Sequence, residues 1–194
     1  MALNWPTERP EKDMNNLAEA LETADLLHDR STIERVITDM ASAIRADYAG
    51  SRPLCIVMMN GGLHFSALLT LELGFDVEID YLHATRYRGE TSGGSLRWLR
   101  HPTVPLEGRR VLLLDDILDE GHTLAEVAAW CRGQGAAEVK SAVLVRKRHD
   151  RCVDEAYADY EGLEVPDRYV FGFGMDFHEH GRNLPAIYAL AEED

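Results

Sequence analysis

Cysteine, positive charge and long apolar runs are all scarce in this chain. Its three cysteines, Cys55, Cys131 and Cys152, lie far apart, are odd in number and form no C-x-x-C pair. That pattern argues for free thiols in a reducing compartment and against zinc. Lysine and arginine total 20 against 34 aspartates and glutamates, a net charge of −14. A surface so acidic repels phosphate backbones and anionic membranes, so neither nucleic acid nor a membrane is the expected partner. No apolar run nears the roughly 18 residues of a spanning helix. The start, Met1 to Pro10, has no basic segment leading into an apolar core, and a cytoplasmic location is expected. There is no internal repeat, no low-complexity segment and no G-x-x-x-x-G-K-[ST] loop.

What is present is ordinary globular composition, 45% hydrophobic and 28% charged over 194 residues, enough for a single domain spanning 1–194. Residues 1–15, polar and carrying Pro6 and Pro10, read as a loose arm. Leu17 to Asp29 has helical spacing. Ser31 and Glu34 form an S-x-x-E capping box ahead of a helix whose apolar face runs from Ile33 to Tyr48. Leu54 to Met59 reads as a buried strand and Leu63 to Leu73 as a helix, joined by Asn60-Gly61-Gly62. That turn is either a plain tight connection or a set of amides facing an anion.

Val77 to Leu82 alternates like a strand with one wet face. The polar, glycine-rich residues 85–95 then form either a lid or an exposed ribbon tip, and Leu96 to Leu99 returns as a strand. Further on come a strand at Arg110 to Leu114, a helix at Leu124 to Gln134 and a strand at Val139 to Val145. The cluster Arg146-Lys147-Arg148-His149 with Arg151 is either a solvated basic turn or the receiver of one small anion. Residues 150–167 read as irregular, Tyr169 to Gly174 as a short aromatic strand, and Ala186 to Leu190 as a final apolar run. Strands alternating with helices predict an α/β fold with a mainly parallel sheet flanked by helices.

The most informative stretch is Val111 to Leu124, VLLLDDILDEGHTL. Four apolar residues run into paired carboxylates, a third acid follows at Asp119, and Gly121-His122-Thr123 opens a helix. In an open α/β sheet a ligand sits at the carboxyl ends of the strands, and the amides of a helix N-terminus suit a phosphate. By themselves two acids at a strand end serve equally well as a cap. The complete pattern resembles the phosphoribosyl-pyrophosphate (PRPP) loop of the type I phosphoribosyltransferases. Gly61-Gly62, Arg86-Tyr87, Lys147 after its strand, Val165 to Asp176 and Arg182 to Pro185 extend the likeness to the hypoxanthine-guanine branch, over about residues 20 to 190.

The resemblance implies a type I fold whose terminal segments form a small hood, and a magnesium-dependent transferase making IMP or GMP. It implies that Asp115 and Asp116 hold the ribose and help place Mg²⁺. The loop Asp119, Glu120, Gly121, His122 and Thr123 would bind the 5′-phosphate, with Asp119 handling the purine N7 proton. Asn60, Gly61, Gly62 and Arg182 would serve pyrophosphate. Lys147 would donate to the 6-oxo group, with Arg148 as an alternative, since an ammonium cannot accept from a 6-amino group. Tyr169 would stack on the purine. The carbonyls of Val170 and Asp176 would meet guanine's amine, and Asp176 would also ligate a second Mg²⁺. Arg86 and Tyr87 would belong to the lid, and the assembly would be a homodimer or homotetramer.

Against the family pattern, Asn60 stands where lysine is common, Arg86 where serine is common, and His122 where lysine is frequent. His178 and His180 are read as loop histidines rather than a metal pair. Two rival functions share these features. One is a PRPP-sensing regulator that binds nucleic acid, disfavoured by the charge of −14; the other is a transferase that prefers xanthine.

Overall fold

The computed structural model describes residues 12–86 and 96–191. Helix α1 (Lys12–Thr23) begins within the expected arm and stops earlier than its spacing predicts. The chain then forms strand β1 (Asp25–His28) instead of continuing the helix to Asp29. The reason is tertiary: β1 pairs antiparallel with a strand near the other end of the chain, which supplies the backbone partners that a helix would otherwise supply within itself. The predicted capping box also gives way. Asp29 is the N-cap of α2 (Arg30–Tyr48), its side chain accepting from the Thr32 amide at 2.8 Å and from Ser31 Oγ at 3.0 Å. Glu34 pairs with Arg30 at 2.6 Å instead. An aspartate at N-cap does the work assigned to Ser31 and adds a charge suited to the helix dipole.

β2 (Leu54–Met59), α3 (Leu63–Glu72), β3 (Glu78–Arg86), β4 (Leu96–Arg100), β5 (Arg110–Leu118), α4 (His122–Gly133) and β6 (Glu138–Lys147) follow in the expected order. β5 runs on through the paired acids to Leu118, four residues beyond the expected end. The region read as irregular contains β7 (Tyr160–Val165), whose buried Tyr160, Leu163 and Val165 are interrupted by polar Glu161 and Glu164 and a glycine. The chain closes with β8 (Val170–Phe171), shorter than the predicted aromatic strand, and β9 (Ile187–Ala189). Beyond Phe171 the backbone turns at Gly172 (φ 94°), which ends the strand.

The main sheet has the order β4-β3-β2-β5-β6-β7, parallel except for the antiparallel edge strand β4. Alternation along β5 sends Leu112 and Leu114 into the core under α2 and α3, and Val111 and Leu113 into the core under α4. From β2 the chain crosses through α3 to β3 on one side, and from β5 through α4 to β6 on the other. The loops leaving β2 and β5 therefore part at their carboxyl ends and open a crevice. The terminal segments form the expected hood: a three-stranded sheet, β1-β9-β8, whose Phe171 packs in one cluster with Phe177 and with Leu17, Ala20 and Leu21 of α1. Among the described residues no helix is long and apolar enough to cross a membrane. Tyr87 and the rest of the expected lid up to Ser95 lie outside the described residues; Arg86 ends β3.

One buried charge fastens the sheet edge. Asp80 of β3 is 7% exposed and accepts from the amides of Tyr81, Thr103 and Val104 and from Arg100. Burial alone would raise its pKa, but these donors outweigh it and hold the carboxyl at about 2. Because the folded value lies below the ordinary 3.8, this stabilisation is present above that value and is lost as pH falls toward 2. Asp80→Ala is expected to lower unfolding free energy by about 1.5–3 kcal/mol near neutral pH. In urea titrations the gap between wild type and variant should narrow as the solution is acidified below about pH 4.

Candidate active site

A cleft of about 960 Å³ opens above the carboxyl ends of β2 and β5. Asn60 and Gly61 line one wall, Asp115, Asp116 and the 119–123 loop line the floor, and Asp176 and Arg182 close it from the hood side. Residues from three distant parts of the sequence thus meet where the sheet order reverses.

The paired acids are held by their own backbone and by a bare glycine. Asp116 is 8% exposed, its Oδ1 accepting from the Ile117 amide at 2.9 Å, while Asp115 Oδ1 accepts from the Asp116 amide at 3.0 Å. Burial pushes the Asp115 carboxyl well up, and the Asp116 charge beside it pushes further. Burial also raises Asp116, partly offset by its hydrogen bond with Asp115 and by the Arg182 charge. Two carboxylates in this setting favour a cation or hydroxyl donors from a ligand. Gly61 is what lets Asp116 sit there, since a Cβ at position 61 would collide with that carboxylate. Gly62 lies just behind, its amide bonded to the Met58 carbonyl at 3.0 Å.

Past β5, Gly121 takes the left-handed conformation (φ 80°) and caps α4, whose first intrahelical bond runs from the Ala125 amide to the Gly121 carbonyl at 2.9 Å. The amides of the first turn, His122 and Thr123 among them, have no intrahelical acceptors, an arrangement that suits an anion and is termed the anion seat. The His122 ring stands 3.8 Å from Glu120 at the cleft rim. A Cβ on Gly121 would strike Ala156, so the loop after β6 packs directly on the anion seat.

Asp119 faces two basic groups. Its Oδ2 lies 2.7 Å from Lys147 Nζ and its Oδ1 lies 2.6 Å from His149 Nε2. Burial would raise its pKa, but hydrogen bonds from Lys147 and His149 prevail and hold it below the ordinary value. Arg148, the alternative to Lys147, turns instead to Glu164 on the exposed side of β7. His149 was not singled out from sequence for this role; it looked like one member of a basic cluster, and only the fold brings it back to Asp119.

Toward the hood, Arg182 donates to the Gly174 carbonyl at 2.7 Å and pairs with Asp176 at 2.7 Å. The second Asp176 oxygen accepts from the Glu179 amide at 2.9 Å. Tyr169 is 44% exposed, meets Phe177 edge-on and donates its hydroxyl to the Asp176 carbonyl at 3.2 Å. Val170 is buried in β8. Tyr169 and Lys147 border the cleft through Asp176 and Asp119 rather than lining it, and Val170 is not among the lining residues. His178 is exposed, and among the described residues no group of three or more histidine, cysteine, aspartate or glutamate side chains could hold a metal alone.

Residues 23–179 match the phosphoribosyl transferase domain family. The chain is 36% identical over 156 residues to the hypoxanthine-guanine phosphoribosyltransferase of Streptococcus agalactiae serotype V, covering 80% of this chain and 86% of that one. It is 32% identical over 169 residues to the protein of the same name from Aquifex aeolicus, covering 86% and 94% respectively. A solved hypoxanthine phosphoribosyltransferase from Staphylococcus aureus superposes with a TM-score of 0.84 at 26% identity, covering 92% of this chain and 96% of that one.

The contact between Gly61 and Asp116 gives a direct check on the site's construction. Gly61→Ala should force the carboxylate aside and destabilise the fold by about 1–3 kcal/mol, the usual cost of overpacking. Thermal and urea unfolding would read the loss, and unchanged stability would mean that the turn yields freely.

Proposed function

Since the chain belongs to the phosphoribosyl transferase domain family, and within it to the hypoxanthine-guanine branch, we propose that it joins hypoxanthine or guanine to PRPP, giving IMP or GMP and pyrophosphate. The observation that carries this reading is the meeting, at one cleft, of the adjacent carboxylates Asp115 and Asp116, an anion seat at a helix N-terminus and Asp119 with its partner Lys147.

In this reading the amides and hydroxyl of the Asp119 to Thr123 loop hold the 5′-phosphate, using the open first turn of α4. Asp115 and Asp116 accept from the ribose hydroxyls. Their crowded carboxylates, one buried and one partly so, also fit Mg²⁺, which takes one or two carboxylates and completes its shell with substrate oxygens and water. When bound, Mg²⁺ would supply charge neutralisation to the departing pyrophosphate. Arg182, aimed by Asp176, meets pyrophosphate together with Asn60, Gly61 and Gly62. Asp176 is also the candidate for a second Mg²⁺, with one carboxylate oxygen facing Arg182 and the other facing the Glu179 amide.

The purine would lie against Tyr169, with its 6-oxo group toward Lys147 and N7 toward Asp119. Lys147 and Asp119 touch in the structure, and 6-oxo and N7 are neighbours on the purine edge, so the pair matches both groups. The carbonyls of Val170 and Asp176 would meet guanine's amine, the latter alongside the Tyr169 hydroxyl it already accepts from. Asp119 takes the N7 proton as the bond to C1 of the sugar forms, a task suited to an ionised carboxylate. Holding both reactants in line and excluding water favours transfer over hydrolysis, with Arg86 and Tyr87 proposed as the lid. A cytoplasmic location and a homo-oligomer belong to the same reading, the latter supported by exposed Leu71, Ile79 and Tyr81.

Purified protein with PRPP and Mg²⁺ is expected to convert hypoxanthine or guanine to the nucleotide; folded protein yielding neither would refute the proposal. Running xanthine, adenine and uracil in the same competition ranks the bases, and salt-sensitive DNA or RNA binding without conversion would favour a regulator. Asp119→Asn should cut turnover by roughly 10²-fold or more, and a near-normal rate would remove the acid from proton handling. Lys147→Ala should erode the preference for 6-oxopurines, read as the ratio of kcat/KM for hypoxanthine and adenine. An unchanged ratio would deny Lys147 that role.

A further inference from the structure

His149 has no part in the transfer as set out above, yet its side chain is 3% exposed and meets Asp119, the proposed proton acceptor. We infer that His149 is a positioning residue for this reaction: its neutral ring donates Nε2–H to Asp119 and holds that carboxylate in place for N7. The inference rests on the purine transfer proposed above.

The geometry fixes the tautomer. The Arg151 backbone amide donates to His149 Nδ1 at 3.1 Å. A backbone N–H can only donate, so Nδ1 carries no proton and the ring proton sits on Nε2. That atom lies 2.6 Å from Asp119 Oδ1, and the His149 side chain is 3% exposed. The Asp119 side chain is 42% exposed, and a carboxylate that open on a loop has no packing to fix its rotamer.

Lys147 holds the other oxygen, at 2.7 Å, but it cannot serve as the lasting anchor. Its ammonium rides on a flexible four-carbon stem and is the proposed donor to the purine 6-oxo group. When Lys147 turns toward the base, the imidazole is the partner that stays. It is itself well braced: Arg151 grips Asp167 with both guanidinium nitrogens at 2.7 Å, and the Val153 amide donates to the Glu120 carbonyl at 2.9 Å. The loop after β6 thus connects the anion seat, Asp119 and the segment leading into Tyr169.

The tautomer also settles where the proton goes. As the N9–C1 bond forms, the C1–O bond breaks, its electron pair leaving with pyrophosphate, and the N7 proton moves to Asp119. His149 cannot take it further, because Nε2 is already protonated and Nδ1 faces an N–H. The ring therefore orients the base without relaying the proton.

Two variants separate a hydrogen-bonding role from a space-filling one. His149→Leu fills similar volume without a donor, and kcat is expected to fall about 10-fold or more, the loss of one hydrogen bond to a charged group. KM for PRPP should stay within about twofold, because the anion seat is untouched. His149→Gln restores an N–H at a comparable reach and should recover most of the turnover. A wild-type rate in the leucine variant, equal impairment in both, or a defect confined to KM for PRPP would overturn the inference.

Long-range ¹⁵N–¹H spectra of the free wild-type protein provide a readout independent of activity and of variant folding. A proton on Nε2 is expected, and one on Nδ1 would overturn it. If wild type is active and the leucine variant is indifferent, only His149's role falls. If wild type makes neither nucleotide, the proposed function falls and this role with it.

Discussion

Two carboxylates sit side by side at the end of β5, one of them buried against a bare glycine, and much of the molecule is arranged around that expense. An ion taken out of water is costly unless partners replace the lost hydration. Among the described residues, Asp115 and Asp116 have their own strand's amides and each other for this, with the Arg182 charge offsetting part of the burial of Asp116. Gly61 must lack a side chain for Asp116 to fit, and Arg182 must be steered by Asp176 and the Gly174 carbonyl. Crowding two acids here thus constrains the glycine turn, the hood arginine and the strand end together.

The sheet supplies the rigidity this arrangement needs. β5 is central, hydrogen-bonded to β2 on one side and β6 on the other, with a packed core on each face. Side chains placed at its end inherit that stiffness, whereas the anion seat and Asp119 lie on a loop and need bracing from outside. The segment after β6 provides it, through the amide bond from Val153 to Glu120 and the contact of Ala156 with Gly121. What reads in sequence as irregular chain is the support of the active-site floor.

The legible parts were those set by local pattern. Buried strands at 54–59 and 139–145 and the helical face from Ile33 to Tyr48 follow from hydrophobic period, and the fold class follows from their alternation. The parts that failed share one cause. β1 was hidden within a helical spacing because its partner β9 is 160 residues away, and β7 because its glycine and glutamates blur the alternation that burial of Tyr160, Leu163 and Val165 reveals. The cap falls at Asp29 rather than Ser31 because either residue type suits the position and the extended backbone ends at Asp29, so that Ser31 is already within the helix.

By itself the sequence determined the strand-to-helix turn bearing Asp115, Asp116, Asp119 and Thr123, since a buried apolar run, paired acids and a glycine opening a helix are all local. Its likeness to a known pattern determined the family, and with it the expected donor and class of base. Tertiary structure alone decided which cations meet which acids. Lys147 reaches Asp119 while neighbouring Arg148 faces Glu164, because successive side chains at the end of β6 point to opposite sides. His149 returns to Asp119 across 30 residues because the chain folds back past the ends of the paired strands β5 and β6, a contact that no local spacing encodes.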